Sequence, residues 1–404
     1  MMARRLSLLP REGEKAAAKR SDEGARFRMK SGVAADRGNA PSSEDFVNTF
    51  SPSRGRRVAT LLAALALAAC ATPLREEAHV PQWSIAIHGG AGVIERGRLD
   101  PQIDAAYRAA LTQAAAAGGD VLTKGGSALD AVEVVVQRLE DDPLFNAGRG
   151  AVFSAEGRNE LDASIMDGAG RKAGAVAGLT RTRHPISLAR AVMEKSPHVM
   201  LIGEGAETFA RSQGLEEVAP SFFFTERRWL QLETELRTRN LPIPPRPAGA
   251  PAPEVRSEIA PLDERKFGTV GVVVRDAQGN LAAGTSTGGM TAKRWGRVGD
   301  VPVIGAGTYA HNGVCAVSAT GSGEYFIRLS VARMICVRME RGESAQDAAD
   351  AVIQKELTDI GGSGGVIVMG GDGVSAWSMN SSGMYRARLA EGGAPIVAIY
   401  KDEE

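Results

Sequence analysis

From about residue 83, strand-like and helix-like patterns of apolar residues alternate along the chain. The segment "WSIAIHGGAG" predicts a short buried strand that runs into a glycine turn. The segment "SALDAVEVVVQRLEDD" predicts an amphipathic helix with a serine N-cap. The apolar face of this helix is formed by Leu129, Val132, Val135 or Val136, and Leu139. Strands are then predicted in "AVFSAEGRNELDASIMDG" and "KAGAVAGL", and helices around residues 186–214.

The pattern after residue 269 is again mixed. It predicts paired strands, two helices near residues 322–341 and 344–358, and closing strands in "GGVIVMGGDGVSAWSM" and "PIVAIY". Blocks of strands and helices with sequential hairpins indicate an α+β fold, in which antiparallel sheets are sandwiched between helix layers.

A proline-rich segment separates these two blocks. Seven of the 19 prolines lie between Pro242 and Pro261, so residues 239–266 are predicted to be an extended linker without ladder hydrogen bonds. A spacer between two domains is one interpretation. However, each block holds too few strands and helices to close a core of its own. The sequence therefore favours one core interrupted by a removable linker.

An apolar strand begins abruptly at Thr269, directly after this linker. Residues 269–275 and 281–287 predict a hairpin, with Gly279 and Asn280 in its turn. A register centred on Gln278 places Thr269 opposite Thr287, whose hydroxyl would then be able to orient the Thr269 hydroxyl. The spacing alone leaves a purely structural threonine pair open. The glycine pair that follows Thr287 favours a concave, side-chain-free space beside both hydroxyls.

Composition narrows the class of protein. The chain has 404 residues, is 43% hydrophobic and carries no formal net charge, so it can bury a large core and is not expected to bind nucleic acid. The three cysteines and five histidines show no zinc-ligand spacing. Cys315 and Cys336 have apolar neighbours and are expected to be buried thiols.

The N-terminal region predicts export. Residues 1–53 form an unpatterned extension, and an internal start near Val47 would give a signal of ordinary length. Residues 54–69 have the arginine-rich start and short apolar run of a signal peptide. They end in "LAAC", which resembles a bacterial lipobox and predicts lipidation of Cys70, followed by a tether over residues 70–82. An ordinary signal peptide or a buried helix is the alternative. The expected location is the periplasmic face, with a lipid anchor in the membrane.

Several motifs together resemble one known family. They are "IHGGAG", "PLFNAGRGAVF", "SPHVMLIGEGAE", "GTVGVVV", "TSTGGMT.K..GRVGD.P..GAG.YA" and "TGSGE", with "MDG...KAGAVAG" between them. This combination resembles the plant-type asparaginase/isoaspartyl peptidases of the N-terminal-nucleophile hydrolase superfamily. The resemblance implies a four-layer αββα sandwich and autoproteolysis between Gly268 and Thr269. It also implies an α subunit over residues 83–268, a β subunit over 269–404, and a homodimer of cleaved chains, (αβ)₂.

The resemblance also implies roles for matching residues. Thr269 corresponds to the nucleophile and Thr287 to the hydroxyl that assists it, while Thr320 and Gly321 correspond to the oxyanion hole. The substrate-binding residues correspond to Arg297 for the α-carboxylate, Asp300 for the α-ammonium, and Gly321 and Gly323. A structural sodium ion is implied, and no other cofactor. Its ligands would be the main-chain carbonyls of Leu139, Glu140, Asp142, Phe145, Ala147 and Arg149, the last of which replaces the usual apolar residue.

The chemistry of these residue types agrees with the roles. A threonine hydroxyl needs a base, and no histidine of this chain has triad-like context. A freed α-amine, with a pKa of about 7.7–8.0, can act as that base only after the peptide bond before Thr269 is broken. The expected reaction is hydrolysis of L-asparagine and β-aspartyl dipeptides. Two alternatives are a glycosylasparaginase on the same fold, which typically has "DT" and "TSTNG" at these positions, and a non-catalytic surface lipoprotein that acts as a binding module.

Overall fold

The alternation of strands and helices is present in the computed structural model, which describes residues 81–97, 99–252 and 268–403. The signal peptide, Cys70 and residues 253–267 of the linker lie outside the described residues. The strands are β1 Ser84–Gly92, β2 Leu161–Asp167, β3 Ala173–Leu179, β4 Met200–Ile202, β5 Val270–Arg275, β6 Leu281–Thr287, β7 Thr308–His311, β8 Cys315–Gly321, β9 Gly364–Gly370, β10 Ser375–Met379, β11 Gly383–Ala390 and β12 Ile396–Tyr400. The α-helices are α1 Pro101–Thr123, α2 Ala128–Asp141, α3 Pro185–Lys195, α4 Gly203–Ser212, α5 Glu226–Thr238, α6 Gly323–Leu329, α7 Val331–Glu340 and α8 Ala345–Asp350.

The described strands form two sheets. The larger sheet has eight strands in the order β12-β11-β1-β5-β6-β2-β3-β4, and the smaller has four in the order β10-β9-β8-β7. The strand pairs are antiparallel except for β3 with β4. Strands β5 and β6 lie at the centre of the larger sheet, so the residues at their ends are surrounded by protein.

The two faces of the larger sheet contribute to two hydrophobic cores. Successive side chains of a strand point to opposite faces, and β5 shows this clearly. Val272 and Val274 belong to the core that contains residues of α1, α2 and α3. Val273 belongs to the core that contains residues of the smaller sheet and of α7 and α8. Because both faces are covered, β5 is apolar at consecutive positions instead of alternating with polar residues.

Local sequence explains where several helices begin and end. Helix α2 begins with the expected serine: Ser127 and Asp130 form a capping box, in which each side chain accepts a backbone hydrogen bond from the other residue. The single helix predicted near residues 322–341 is divided in two, because Ser330 adopts a left-handed conformation with φ of 51° between α6 and α7. Helix α8 continues into a π-helix, Ala351–Leu357. None of the described helices is long and apolar enough to cross a membrane.

The two internal cysteines differ from the expectation. Cys315 on β8 and Cys336 on α7 are fully buried, as predicted, but they form a disulfide with a Cα–Cα distance of 5.7 Å. The expectation of two free thiols is therefore wrong. It failed because a separation of 21 residues along the chain says nothing about whether a strand and a helix pack together.

Candidate active site

Thr269 and Thr287 lie side by side at the end of the β5–β6 hairpin. The ladder pairs Val270 with Ser286 and Gly271 with Thr285, so the predicted register is confirmed. One step further along this register, the Thr269 hydroxyl donates to Thr287 Oγ1 at 3.1 Å. Both side chains are buried, and the Gly289 N–H also donates to Thr287 Oγ1 at 3.0 Å. Strand pairing therefore fixes the relative position of the two hydroxyls.

The glycine turn predicted after "WSIAIH" is instead part of strand β1, which continues to Gly92 with a β-bulge between His88 and Gly90. The backbone before Thr269 is packed tightly against this bulged segment. A Cβ added at Gly90, where φ is +113°, would lie 2.7 Å from Gly268 Cα and 3.2 Å from the Thr269 nitrogen. A Cβ added at Gly268 would lie 2.9 Å from the Cβ of Asn146. Glycine at position 90 allows the two backbone segments to come this close, and glycine at position 268 leaves room for the side chain of Asn146.

Thr320 and Gly321 stand at the end of β8, on the smaller sheet. Thr320 is fully buried, and its Oγ1 accepts a hydrogen bond of 3.3 Å from the N–H of Ala91, next to Gly90. A Cβ at Gly321 would lie 2.5 Å from the Ser363 carbonyl oxygen. The bulged end of β1 thus contacts both the Gly268–Thr269 segment and Thr320, which brings the expected oxyanion hole close to the expected nucleophile.

Arg297 and Asp300 form the charged part of the site. Arg297 donates from Nε and Nη2 to the two carboxylate oxygens of Glu324, at 3.0 and 3.1 Å. A Cβ added at Gly299 would lie 2.8 Å from its Nη1, and one added at Gly323 would lie 2.8 Å from both Nη2 and Asp300 Oδ1. The two glycines therefore leave space around the guanidinium group and beside the Asp300 carboxyl. Glu324 follows the expected "TGSG" motif directly, but its contact with Arg297 was not anticipated from the sequence.

Two buried carboxyl groups in this region have perturbed pKa values. Burial raises the pKa of Asp300 to about 7, although the nearby Arg297 opposes the shift. Asp300 Oδ2 has no hydrogen-bond partner among the described residues, which suits an incoming cation. Burial also raises the pKa of Asp162, which pairs with Thr287 across β2 and β6 and whose Oδ2 is likewise unpartnered within the described residues. Asp162 was not singled out in the sequence, because "LDASIMDG" reads simply as a strand.

His88 is a further residue that the sequence pattern did not identify. It is fully buried, with Nδ1 at 3.0 Å from the Thr269 carbonyl oxygen and Nε2 at 2.9 Å from Ser318 Oγ. Burial lowers its pKa to about 3. Its partner at Thr269 is the carbonyl oxygen and not the hydroxyl. The only available signal in the sequence was its place in "IHGGAG", immediately before the glycine pair.

The loop expected to bind sodium follows α2. Glu140 is the penultimate residue of this helix, and its carbonyl oxygen lies so close to Gly148 that a Cβ there would overlap it. The loop therefore folds back so that Glu140, an expected ligand, lies beside Gly148, the residue between the expected ligands Ala147 and Arg149. The loop also contacts the threonine site, because Asn146 donates to the Gly289 carbonyl oxygen at 2.8 Å and its own carbonyl accepts from Gly288 at 3.1 Å.

Comparison with known proteins supports a single family. A protein-family model described as Asparaginase (Asparaginase_2) matches residues 81–399. An isoaspartyl peptidase of Salmonella typhimurium is 49% identical over 320 residues, which cover 79% of this chain and 98% of the relative. An isoaspartyl peptidase of Escherichia coli is 48% identical over 321 residues, covering 79% and 96%. A probable isoaspartyl peptidase/L-asparaginase 2 of Arabidopsis thaliana is 43% identical over 327 residues, covering 79% and 99%. The chain belongs to the asparaginase family.

Proposed function

We propose that this chain is an amide hydrolase that cleaves β-aspartyl dipeptides and L-asparagine, with Thr269 as its N-terminal nucleophile. The observation that carries the proposal is the buried Thr269–Thr287 hydroxyl pair, 3.1 Å apart, with Thr269 immediately before the central strand β5. The family membership and the names of the relatives support the substrate class.

Activation begins with self-cleavage. The Thr269 hydroxyl attacks the carbonyl carbon of Gly268, the C–N bond breaks, and the acyl group moves from nitrogen to oxygen. Water then hydrolyses the resulting ester, which leaves a carboxylate at Gly268 and a free α-amine at Thr269. Cleavage is needed because a peptide nitrogen is not basic, whereas the freed amine has a pKa of about 7.7–8.0.

The freed amine then acts as the general base for substrate hydrolysis. It takes the proton of the Thr269 hydroxyl as Oγ1 attacks the side-chain carbonyl of an L-aspartyl unit. The oxyanion that forms is stabilised by the Thr320 hydroxyl and the Gly321 N–H, an effect of roughly 10²–10³ in rate per donor. Collapse transfers the proton to the leaving nitrogen, which departs as ammonia or as an amino acid. Water hydrolyses the acyl-enzyme and releases aspartate.

The charged groups recognise the head of the substrate. Arg297 binds the α-carboxylate, for which a guanidinium fork is suited, and Asp300 binds the α-ammonium. Gly323 adds a carbonyl contact to the same amine. These contacts hold only the aspartyl head, so the leaving group faces solvent and is expected to vary.

The wider architecture supports the same proposal. The two sheets share one core and each packs against its own helices, as expected for a four-layer αββα sandwich of the N-terminal-nucleophile hydrolase type. We propose an α subunit ending at Gly268, a β subunit starting at Thr269, and an (αβ)₂ homodimer. Main-chain carbonyls of the loop after α2 would hold a structural sodium ion, which would brace the segment that contacts Gly288 and Gly289.

Export is the remaining part of the proposal. Cys70 would become a lipidated mature N-terminus and anchor the enzyme at the periplasmic face of the membrane. The Cys315–Cys336 disulfide supports this, because disulfides persist in oxidising compartments. A Cys70→Ala variant should be released as soluble protein, whereas soluble and unlipidated wild-type protein would contradict the anchor.

Intact mass and N-terminal sequencing of the purified protein test the activation step. Two pieces are expected, one ending at Gly268 and the other beginning TVGVVV. A non-catalytic binding module would have no reason to cut itself. Full amidase activity in an uncut chain, or a small piece starting at any other residue, would overturn the mechanism.

A further inference from the structure

A line of buried polar side chains runs between the two sheets, away from the threonine pair. It starts at the Thr269 carbonyl oxygen, passes through both nitrogens of His88, and reaches Ser318 Oγ. It continues at successive distances of 2.7, 2.5, 2.8 and 2.6 Å through Thr285, Thr308, Ser164 and the Val301 carbonyl oxygen. His88 and the four hydroxyl residues are all fully buried.

Gly271 makes room for the first links of this line. Gly271 is paired with His88 across β5 and β1. A Cβ added at Gly271 would overlap both Ser318 Oγ and His88 Nε2. Glycine weakens the interior of a strand, but at position 271 it leaves the space in which the His88 imidazole contacts the Ser318 hydroxyl.

The protons available to this line do not suffice for all of its contacts. A neutral imidazole brings one proton and the four hydroxyls bring one each, so five protons serve the six contacts of the line, and Thr285 Oγ1 also lies 3.5 Å from the Gly307 carbonyl oxygen. Both ends of the line are carbonyl oxygens, which only accept. At least one contact must therefore lack a proton, and the tautomer of His88 decides whether it is the contact with the Thr269 carbonyl.

The tautomer has a direct consequence for Thr269. With the proton on Nδ1, His88 donates to the Thr269 carbonyl, and the Ser318 hydroxyl donates to Nε2. The contact without a proton then lies beyond Ser318. With the proton on Nε2, the Thr269 carbonyl faces an unprotonated nitrogen and loses its donor. A bare nitrogen and a carbonyl oxygen 3.0 Å apart repel one another, whereas the Ser318 hydroxyl can either donate or accept, so the Thr269 carbonyl favours the tautomer with the proton on Nδ1.

We propose that His88 is a positioning residue whose Nδ1–H holds the Thr269 carbonyl, with Ser318 donating to Nε2, and so fixes the orientation of the nucleophile. This inference rests on the proposed function. The β5–β6 ladder begins with the pair Val270–Ser286, so Thr269 becomes a chain end beyond the ladder once the chain is cut. Chain ends fray unless they are held, and a carbonyl held by a buried donor restricts rotation of Thr269.

Two substitutions of His88 separate positioning from packing. The side-chain nitrogen of asparagine is as many bonds from Cβ as Nδ1 is, whereas that of glutamine is as many as Nε2 is. His88→Asn should therefore keep kcat for L-asparagine within about threefold of wild type. His88→Gln should lose about tenfold or more, as expected for one lost hydrogen bond. KM should change little in either variant, because Arg297 and Asp300 are untouched. A packing role predicts the opposite order, since glutamine fills the space better.

A measurement on the wild-type chain keeps the inference testable if both variants fail to fold. Nitrogen NMR of protein labelled at histidine should show His88 with a protonated Nδ1 and a bare Nε2, and the Ser318→Ala variant should identify its signals by shifting them. Equal or reversed effects of the two His88 variants, or a protonated Nε2 in wild type, would overturn the inference. The Thr269→Ala variant distinguishes this outcome from failure of the proposed function. If that variant were active, Thr269 would not be the nucleophile, and the proposed function itself would fail.

Discussion

The nucleophile side and the substrate-binding side of the candidate site are held in place by different forces. Thr269 and Thr287 are uncharged, lie on paired strands, and owe their distance to the register of a central hairpin. Arg297 and Glu324 are charged, lie in a loop and at the start of a helix, and owe their distance to an ion pair. Strand register tolerates little variation, whereas a partly exposed ion pair responds to salt and pH.

This difference predicts that chemistry and recognition can be separated experimentally. Changes on the nucleophile side should mainly lower kcat and affect self-cleavage. Changes on the substrate-binding side should mainly raise KM and leave self-cleavage intact. Any variant that changes both parameters together would show that the two sides are coupled.

The largest effect is expected for Thr269→Ala. This variant lacks the oxygen that attacks, so it should remain one chain and lose more than about 10⁴-fold in kcat. Thr269→Ser is the matched control, and it should cut and turn over more slowly than wild type, because loss of the methyl group frees χ1. Gel electrophoresis would measure self-cleavage of the two variants, and single-turnover kinetics would measure their rates of substrate hydrolysis. A Thr269→Ala chain that still divides would place the cleavage elsewhere.

Arg297→Ala should have the next largest effect. Loss of a hydrogen bond to a charged group costs about 1.5–3 kcal/mol, which corresponds to a rise of roughly 10- to 100-fold in KM for L-asparagine and β-aspartyl dipeptides. Self-cleavage should continue, because the linker of the precursor has no α-carboxylate for Arg297 to bind. Steady-state kinetics on cleaved protein would measure this change. A KM within about threefold of wild type would show that Arg297 does not bind the substrate.

The pKa of Asp300 predicts a pH dependence of recognition. Burial raises this pKa to about 7, so the carboxyl gains a proton and loses its attraction for ammonium as the pH falls through that value. Therefore kcat/KM should fall below about pH 7, more steeply than kcat does. The α-amine of Thr269 also titrates, but it should appear in kcat as well. Asp300→Asn should flatten the additional dependence, and an unchanged kcat/KM profile in that variant would contradict the assignment.

The raised pKa of Asp300 affects the stability of the fold in the opposite direction: lower pH weakens substrate recognition but favours the folded state. Because the pKa in the folded state lies above the ordinary value of 3.8, folding favours the protonated carboxyl. The contribution of Asp300 to the free energy of unfolding is then fully present below about pH 4 and is lost as the pH rises through about 7. Denaturant unfolding of wild type and Asp300→Asn at about pH 4 and above about pH 7 would test this. The free energy of unfolding of wild type should fall relative to that of the variant as the pH rises.

The smallest effect is expected for Glu324→Gln. The carboxylate of Glu324 is half exposed and holds Nε and Nη2 of Arg297, which leaves Nη1 beside Gly299. An amide would orient the guanidinium less firmly, so KM should rise by a few-fold, in line with about 0.2–1 kcal/mol for an exposed pair. Added salt should reduce the difference between variant and wild type. A fall in KM would show instead that Glu324 competes with the substrate.

The parts of the fold that were predictable depend on neighbours in sequence. The serine N-cap of α2 and the register of the β5–β6 hairpin depend on residues close together in sequence, so the sequence pattern identified both. The division between α6 and α7 was missed because a left-handed Ser330 leaves no mark in the apolar pattern. The disulfide and the contact between Glu324 and Arg297 were missed because they join residues that are distant along the chain.

The sequence by itself determined the family resemblance, the alternation of elements and the position of Thr269 opposite Thr287, since motifs and strand periodicity are local properties. Only the tertiary structure decided that His88 contacts the Thr269 carbonyl and that a Cβ is excluded at Gly90 and Gly271. The physical reason is that a buried hydrogen bond or a close backbone approach requires two segments to meet. The packing of the two sheets, and not the pattern of either segment, brings them together.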